Sequence, residues 1–415
     1  MTAARPNTPK PGGSSSAAVS HHALTLLVLA TLGLPALAAL VLLFVRKADV
    51  DWWLVWTLYG ATTIALFMSR APWKRASGLA LCLSALSLVT LWPEMALRLA
   101  GFRFETRSVV QFGWPTPQDL RFMEADPELF WRLPSSWKNV NSDGFFGPEI
   151  VPKPAGTWRM AFFGDSCTEQ GYCDAVPPLL HAAHPNGPRF EAINLGVAGY
   201  TSYQGRVVAE RMLGKTRPDL AAVCYGWNDH WLAYGAPDSA KAAKGDPAPN
   251  WLRRAVTLSR VLQWAVKLRA AGHDVPLDQT RVNPGQYRRN LLEIGRLIEA
   301  AGGQVLLMTA ATSHVHQGVP EQLVERHFAP SKEEIVALHK TYNEIVRGVA
   351  AERDWLLLDL AASADSLPRV GDLFTDDGIH YTDPGLDWVT AQVSGLIARQ
   401  VLPAALKRGA MGRSQ

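Results

Sequence analysis

Apolar and polar positions divide the chain sharply near residue 100. Residues 1–22 are rich in Pro, Gly, Ser and Ala and carry little to bury, so they are expected to be a disordered tail. The sequence ALTLLVLATLGLPALAALVLLFV, residues 23–45, then runs without a charge. As a helix it would extend roughly 34 Å, enough for a ~30 Å hydrocarbon core, and membrane helices tolerate an internal proline such as Pro35. A second stretch, 52–69, opens with Trp52, Trp53 and Trp56, the aromatic belt expected at a membrane interface. A third, 76–97, has its exit at Pro93-Glu94. A signal peptide would have a shorter apolar region and no further spans. About three transmembrane helices are therefore expected within residues 23–99.

Beyond Thr157 the pattern changes to short β-rich runs separated by longer amphipathic stretches. WRMAFF (158–163), FEAINL (190–195), LAAVCY (220–225), QVLLMTA (304–310) and WLLLDL (355–360) read as buried parallel strands. The stretches beginning SYQGRVV, NPGQYRR, SKEEIVA and PGLDWVT read as helices. The alternation predicts an α/β domain over 157–405, with a parallel sheet of about five strands covered on both faces and its chemistry at the carboxyl ends of the strands. Residues 100–156, rich in Trp, Phe and Pro, are expected to pack on that domain as a connector, and 235–283 to form an insertion near the active site.

Charge changes this picture little. A net charge of +4 without a Lys/Arg run excludes a nucleic-acid-binding footprint. The positive-inside count is tied: Arg5, Lys10, Arg70, Lys74 and Arg75 face Arg46, Lys47, Arg98, Arg103 and Arg107. The dense loop RAPWKR favours an internal N-terminus, which with three spans places the large domain outside the cytoplasm. Of four cysteines, Cys82 and Cys224 lie in apolar stretches, while Cys167 and Cys173 are close enough to bridge in an oxidising compartment, a pairing that sequence alone does not decide.

The chemistry-bearing residues stand where the predicted strands end. Gly164-Asp165-Ser166 puts a serine at a strand-to-helix turn, with its N–H opening the helix, where an oxyanion is favoured. NLGVAGYTSYQ offers Gly196 and Gly199 in a tight loop, and Gly226-Trp227-Asn228-Asp229 brings an amide donor to the same edge. In LFTDDGIHYTDPG, Asp377 and His380 are spaced so that the carboxylate reaches Nδ1–H and leaves Nε2 to take a serine proton; Asp376 is one residue out of register. His314 and His316 follow the fourth strand without a third metal ligand, so a loop near the substrate is the better reading. Trp227, His230 and Trp231 either line a substrate pocket or pack against the insertion or the connector.

Each feature alone is weak. In this order, at successive strand ends, GDS, the glycine loop, GxND and DxxH resemble the four sequence blocks of the SGNH (GDSL-like) hydrolase superfamily over residues 157–402. The resemblance implies a three-layer α/β/α sandwich with Ser166 as nucleophile, His380 as general base and Asp377 as its orienter. The Ser166 N–H, a glycine N–H and the Asn228 side chain would form the oxyanion hole. The family pattern N-x-x-x-x-G-x-T fits NLGVAGYT with Gly199 rather than Gly196. Cys167, directly after the serine, departs from the hydrophobic or small polar residue common there.

The expected protein is a multi-pass bacterial inner-membrane esterase. It would remove acyl groups, small ones such as acetyl, from an envelope glycan or lipid, with Trp227, His230 and His314 as candidate substrate contacts. The alternatives are an O-acyltransferase of polysaccharide biosynthesis using the same triad, working with envelope-polysaccharide machinery, and a non-catalytic membrane scaffold. No metal, nucleotide or other cofactor is implied.

Overall fold

The computed structural model describes residues 21–45, 52–70, 74–102, 123–233, 236–244, 255–256, 259–270, 279–325 and 328–403. The expected N-terminal tail lies, but for its last two residues, outside them, as do parts of the connector and the insertion. The chain divides into two compact units: residues 1–104 with 258–269, and residues 105–257 with 270–415.

In the first unit, His21–Val28 and Leu34–Val45 form one continuous helix interrupted by a π-helical turn over Leu29–Gly33. The cause is Pro35, which has no N–H to give the carbonyl of Thr31 four residues earlier. Ser87 of the helix Lys74–Leu99 donates its hydroxyl to that carbonyl, satisfying the group the proline leaves open. Leu24, Val28, Leu32, Ala65 and Ala80 pack together inside, while Leu26, Phe67 and Val89 are more than two-thirds exposed. Among the described residues, two helices, His22–Ala39 and Gly78–Leu99, are long and apolar enough to cross a membrane. The second expected span, 52–69, is corrected. Trp52–Arg70 is helical, but its apolar described part, Tyr59–Met68, is short, and Gly60, Thr62 and Thr63 dilute it.

The helix Arg260–Ala270, from within the expected insertion, belongs to this first unit. The Glu94 carboxylate accepts hydrogen bonds from the Ser259 hydroxyl (2.9 Å) and from the N–H groups of Arg260 (2.9 Å) and Val261 (3.0 Å). Those are donors that a helix start leaves without intrahelical partners, and a carboxylate also suits the positive end of the helix dipole.

The second unit is built on a parallel sheet whose strands, in spatial order, are β4 Arg189–Gly196, β3 Thr157–Gly164, β5 Leu220–Cys224, β6 Gln304–Met308 and β7 Leu356–Leu358. All five overlap the predicted runs. Side chains alternate across β3: Trp158, Met160 and Phe162 enter one apolar core, and Ala161 and Phe163 the other. Helices Ser202–Thr216, Pro284–Ala300 and Lys332–Arg353 contribute to the second core, and Asp383–Leu396 to the first. Residues 123–156 pack onto this unit through a short antiparallel hairpin, β1 Glu124–Asp126 and β2 Phe130–Arg132, whose Phe130 and Trp131 are fully buried.

Candidate active site

β3 delivers Ser166 through a turn with no room for side chains. A Cβ on Gly164 would meet Thr168 Oγ1 at 2.0 Å and the Cys224 carbonyl at 2.9 Å, so only glycine fits there. Asp165 caps the helix Ser166–Glu169 by accepting the Cys167 N–H at 3.0 Å. Burial pushes the Asp165 carboxyl up to about 6, against the opposing pull of that N–H and of the His380 charge.

His380 Nε2 lies 2.8 Å from Ser166 Oγ, and its Nδ1 lies 2.6 Å from Asp377 Oδ2. Asp377, not Asp376, meets the ring. Its other oxygen accepts from the Thr375 hydroxyl (2.8 Å) and the N–H groups of Ile379 (2.8 Å) and His380 (3.0 Å). Burial works to raise the Asp377 carboxyl, but the imidazole and these N–H groups outweigh it and hold the group well below the usual carboxylate range. The Asp377 hydrogen bond in turn raises His380 above its ordinary value, against partial burial.

The loop after β4 separates the two glycines. The Gly196 N–H donates to Asn194 Oδ1 at 2.9 Å, and a Cβ there would strike the Glu169 N at 2.6 Å, so Gly196 is spent on packing. Gly199, at φ +80°, has an N–H with no acceptor among the described residues. The Ser166 N–H opens its helix and so has no intrahelical acceptor. Asn228 brings its side-chain Nδ2 to the same edge, 3.2 Å from the Tyr200 carbonyl and 3.4 Å from Asp165 Oδ2.

Trp227, His230 and His314 are all buried, and the rings that Trp227 and His230 meet (Trp231, His314, His339 and Tyr342) belong to neither the expected insertion nor the connector. Trp227 stacks on His339 at 3.8 Å between ring centroids and meets His314 edge-on at 5.4 Å, while His230 stands edge-on to Trp231 at 4.5 Å. His314 donates from Nε2 to the Asp377 carbonyl at 2.7 Å, which fixes its tautomer and leaves Nδ1 as a buried acceptor without a partner. Burial lowers its proton affinity, so the ring is neutral. A cavity of about 460 Å³ borders His314, His339, Asn343 and Arg347, and Ser166 does not line it. Cys167 and Cys173 are both buried free thiols.

Four residues escaped the sequence reading. Glu169 accepts the Ala198 N–H at 2.7 Å. Gln170 pairs twice with the backbone of Tyr381, donating to its carbonyl at 2.9 Å and accepting its N–H at 3.0 Å. Both stand within four residues of Ser166, a proximity that could have flagged them. Asp238 and Arg281, at the two ends of the expected insertion, meet beneath Gly199 with no comparable signal in the sequence.

A serine hydroxyl, an imidazole and a carboxylate in hydrogen-bonded line, with bare N–H groups beside them, have the constellation of a serine hydrolase. The model of the GDSL-like Lipase/Acylhydrolase family matches residues 162–388, more than half of the chain, and the chain belongs to that family. It is a serine esterase. Similar solved structures include a lipase/acylhydrolase from Enterococcus faecalis, at 18% identity and TM-score 0.38, covering 58% of this chain and 95% of that one. A catalytic mutant of an acetylxylan esterase from Geobacillus stearothermophilus aligns at 16% identity and TM-score 0.36, covering 60% of this chain and 95% of that one. No curated protein matches the chain.

Proposed function

We propose that this chain is a membrane-anchored esterase that removes acyl groups from a cell-envelope glycan or lipid, with Ser166 as nucleophile, His380 as general base and Asp377 as its orienter. The 2.8 Å contact between Ser166 Oγ and His380 Nε2, continued at 2.6 Å to Asp377, carries this reading. His380 takes the Ser166 proton as Oγ attacks the ester carbonyl. The oxyanion is received by the N–H groups of Ser166 and Gly199 and by Asn228 Nδ2, each such donor being worth about 3–4 kcal/mol in the transition state. His380 then gives its proton to the departing alcohol, leaving an acyl-serine. Water, deprotonated by the same imidazole, attacks the acyl carbon; the carboxylic acid leaves and Ser166 Oγ recovers its proton.

The two helices long and apolar enough to cross a membrane support the anchoring. Such anchoring supports a substrate that is itself held in the envelope.

The test uses the full chain in detergent with p-nitrophenyl esters of increasing acyl length, followed by acetate release from acetylated envelope polysaccharide. Ester turnover is expected for the native protein and should fall by about 10⁴–10⁶-fold in Ser166→Ala. Serine labelling by a fluorophosphonate without release of free acid would move the assignment to an O-acyltransferase. Absence of both labelling and turnover would overturn both.

A further inference from the structure

The Ala198–Gly199 peptide carries the bare N–H of the oxyanion loop, and among the described residues nothing bonds that N–H in place. Its neighbours on both sides are pinned instead. On the N-terminal side, the Val197 N–H donates to the Gly164 carbonyl and the Ala198 N–H to Glu169 at 2.7 Å. On the C-terminal side, the Tyr200 N–H returns to the Val197 carbonyl at 3.1 Å, and Arg281 Nη1 donates to the Gly199 carbonyl at 2.8 Å. With both flanking planes held, the peptide keeps only the paired rotation of ψ at Ala198 and φ at Gly199, so those contacts restrict where its N–H points.

Arg281 is fully buried and fully engaged. Its Nη2 lies 3.0 Å from Asp238 Oδ2 and 3.2 Å from Gln204 Oε1, and its Nε lies 3.3 Å from Asp238 Oδ1. Asp238, equally buried, also accepts the Thr201 hydroxyl at 3.0 Å, tying the carboxylate to the residue that begins the next helix. A buried guanidinium and carboxylate with their hydrogen bonds satisfied form a rigid unit. Residues 258–269, which lie between these two in sequence, belong to the first unit. Asp238 and Arg281 bond to each other and, through Gly199 and Thr201, to the oxyanion loop.

We infer that Arg281, held by Asp238, is a positioning residue that aims the Gly199 N–H at the oxyanion, resting on the reading of Ser166 and Gly199 given above. It touches no substrate; it acts through the Gly199 carbonyl. Its loss is expected to act on the transition state and not on substrate binding, because the ground-state ester does not need the aligned N–H.

The experiment measures kcat and KM per active site, counted by fluorophosphonate titration, together with amide hydrogen exchange across 197–201 and 375–381. Arg281→Met alone leaves the Asp238 carboxylate buried without its partner, so the pair variant Arg281→Met with Asp238→Leu is measured beside it. The pair variant is expected to lower kcat by about 10- to 100-fold with KM changed less than about two-fold, the scale at which a misplaced group costs rate. The Ala198 and Tyr200 amides should exchange faster, while the 375–381 amides and the pH profile of kcat/KM stay as they were. Arg281→Lys should recover part of kcat by restoring one donor to the Gly199 carbonyl. Unchanged kcat per titrated site with unchanged exchange at 198 and 200 would overturn the inference. A native protein without turnover would overturn the reading of the site instead, and the exchange measurement would still decide whether the clamp orders the loop.

Discussion

The two sides of the site are held by different kinds of contact. On the base side, Asp377 collects Thr375, Ile379 and His380 within a few residues of itself, so the carboxylate–imidazole geometry is set inside one turn. Longer reaches only place that finished turn: Thr312 Oγ1 and the Ser313 N–H hold the Gly378 carbonyl, and His314 holds that of Asp377. On the oxyanion side the Tyr200–Val197 and Thr201–Gln204 bonds are local, and the remaining contacts are remote. The loop over 197–201 takes its shape from Gly164, Glu169, Asn228 and Arg281, the last 82 residues away. A turn assembled from neighbours is specified as soon as its sequence is written. A loop assembled from remote partners is specified only when the whole unit has folded, and any partner can loosen it. Substitutions on the base side should therefore alter the titration of the site, and those on the oxyanion side its rate alone.

The largest expected effect separates the two sides most sharply. Asp377→Asn keeps the shape but removes the charge that holds the imidazole, and should lower kcat by about 10³–10⁴-fold. It should also move the pH profile in a defined direction. His380 must be neutral to accept the Ser166 proton, so activity rises as pH climbs through its folded-state value. The Asp377 hydrogen bond raises that value above 6.5, and the native acid limb of kcat/KM should have its midpoint above pH 6.5. Without the carboxylate the limb should shift toward acid. A limb that stays in place in Asp377→Asn would mean that another group governs the base.

Asn228→Ala comes next. Losing one oxyanion donor should cost about 10²–10³-fold in kcat, with the acid limb unmoved. A shifted limb would show that the two sides are coupled, through Asp165 for instance, whose Oδ2 lies 3.4 Å from Asn228 Nδ2. A loss smaller than about five-fold would mean that this amide stays with the Tyr200 carbonyl during the reaction.

The same contrast explains what could be read from the sequence. GDS and DxxH are short because the bonds they encode are short-range, and the five sheet strands stood out because buried parallel strands are continuous apolar runs. Gly199 was separable from Gly196 only by a family pattern; the structure supplies the physical reason, since the Gly196 N–H is already bonded. The β1–β2 hairpin left no trace because three-residue strands are too short for a period to register. Apolar runs gave the membrane-type helices, but among the described residues length and composition sustain two, not three. Arg281 and Asp238 were invisible: each looks like a surface charge until folding buries both.

The smallest effect tests the seam between the two sides. Gln170 stands just after the nucleophile's helix and pairs with the backbone of Tyr381, the residue after His380, through two bonds of 2.9 and 3.0 Å. Apart from the Ser166–His380 bond itself, these contacts and a long one from Cys167 Sγ to the Ile379 carbonyl (3.5 Å) tie the nucleophile's helix to the base. An ordinary hydrogen bond nets about 0.5–1.5 kcal/mol, so the two lost in Gln170→Ala cost about 1–3 kcal/mol of stability, of which only the part that displaces His380 reaches the rate; kcat should fall about tenfold, with KM and the acid limb little changed. Gln170→Glu distinguishes a tether from a space-filler. Its carboxylate still accepts the Tyr381 N–H but offers no donor to the Tyr381 carbonyl, and it sets a negative charge beside the site. It should keep the volume, lose half the pairing and shift the acid limb upward, because an added anion favours the protonated imidazole. Native kcat in both variants would show that the aspartate turn, with its anchor on Thr312, Ser313 and His314, places His380 against Ser166 without help from the serine's own helix.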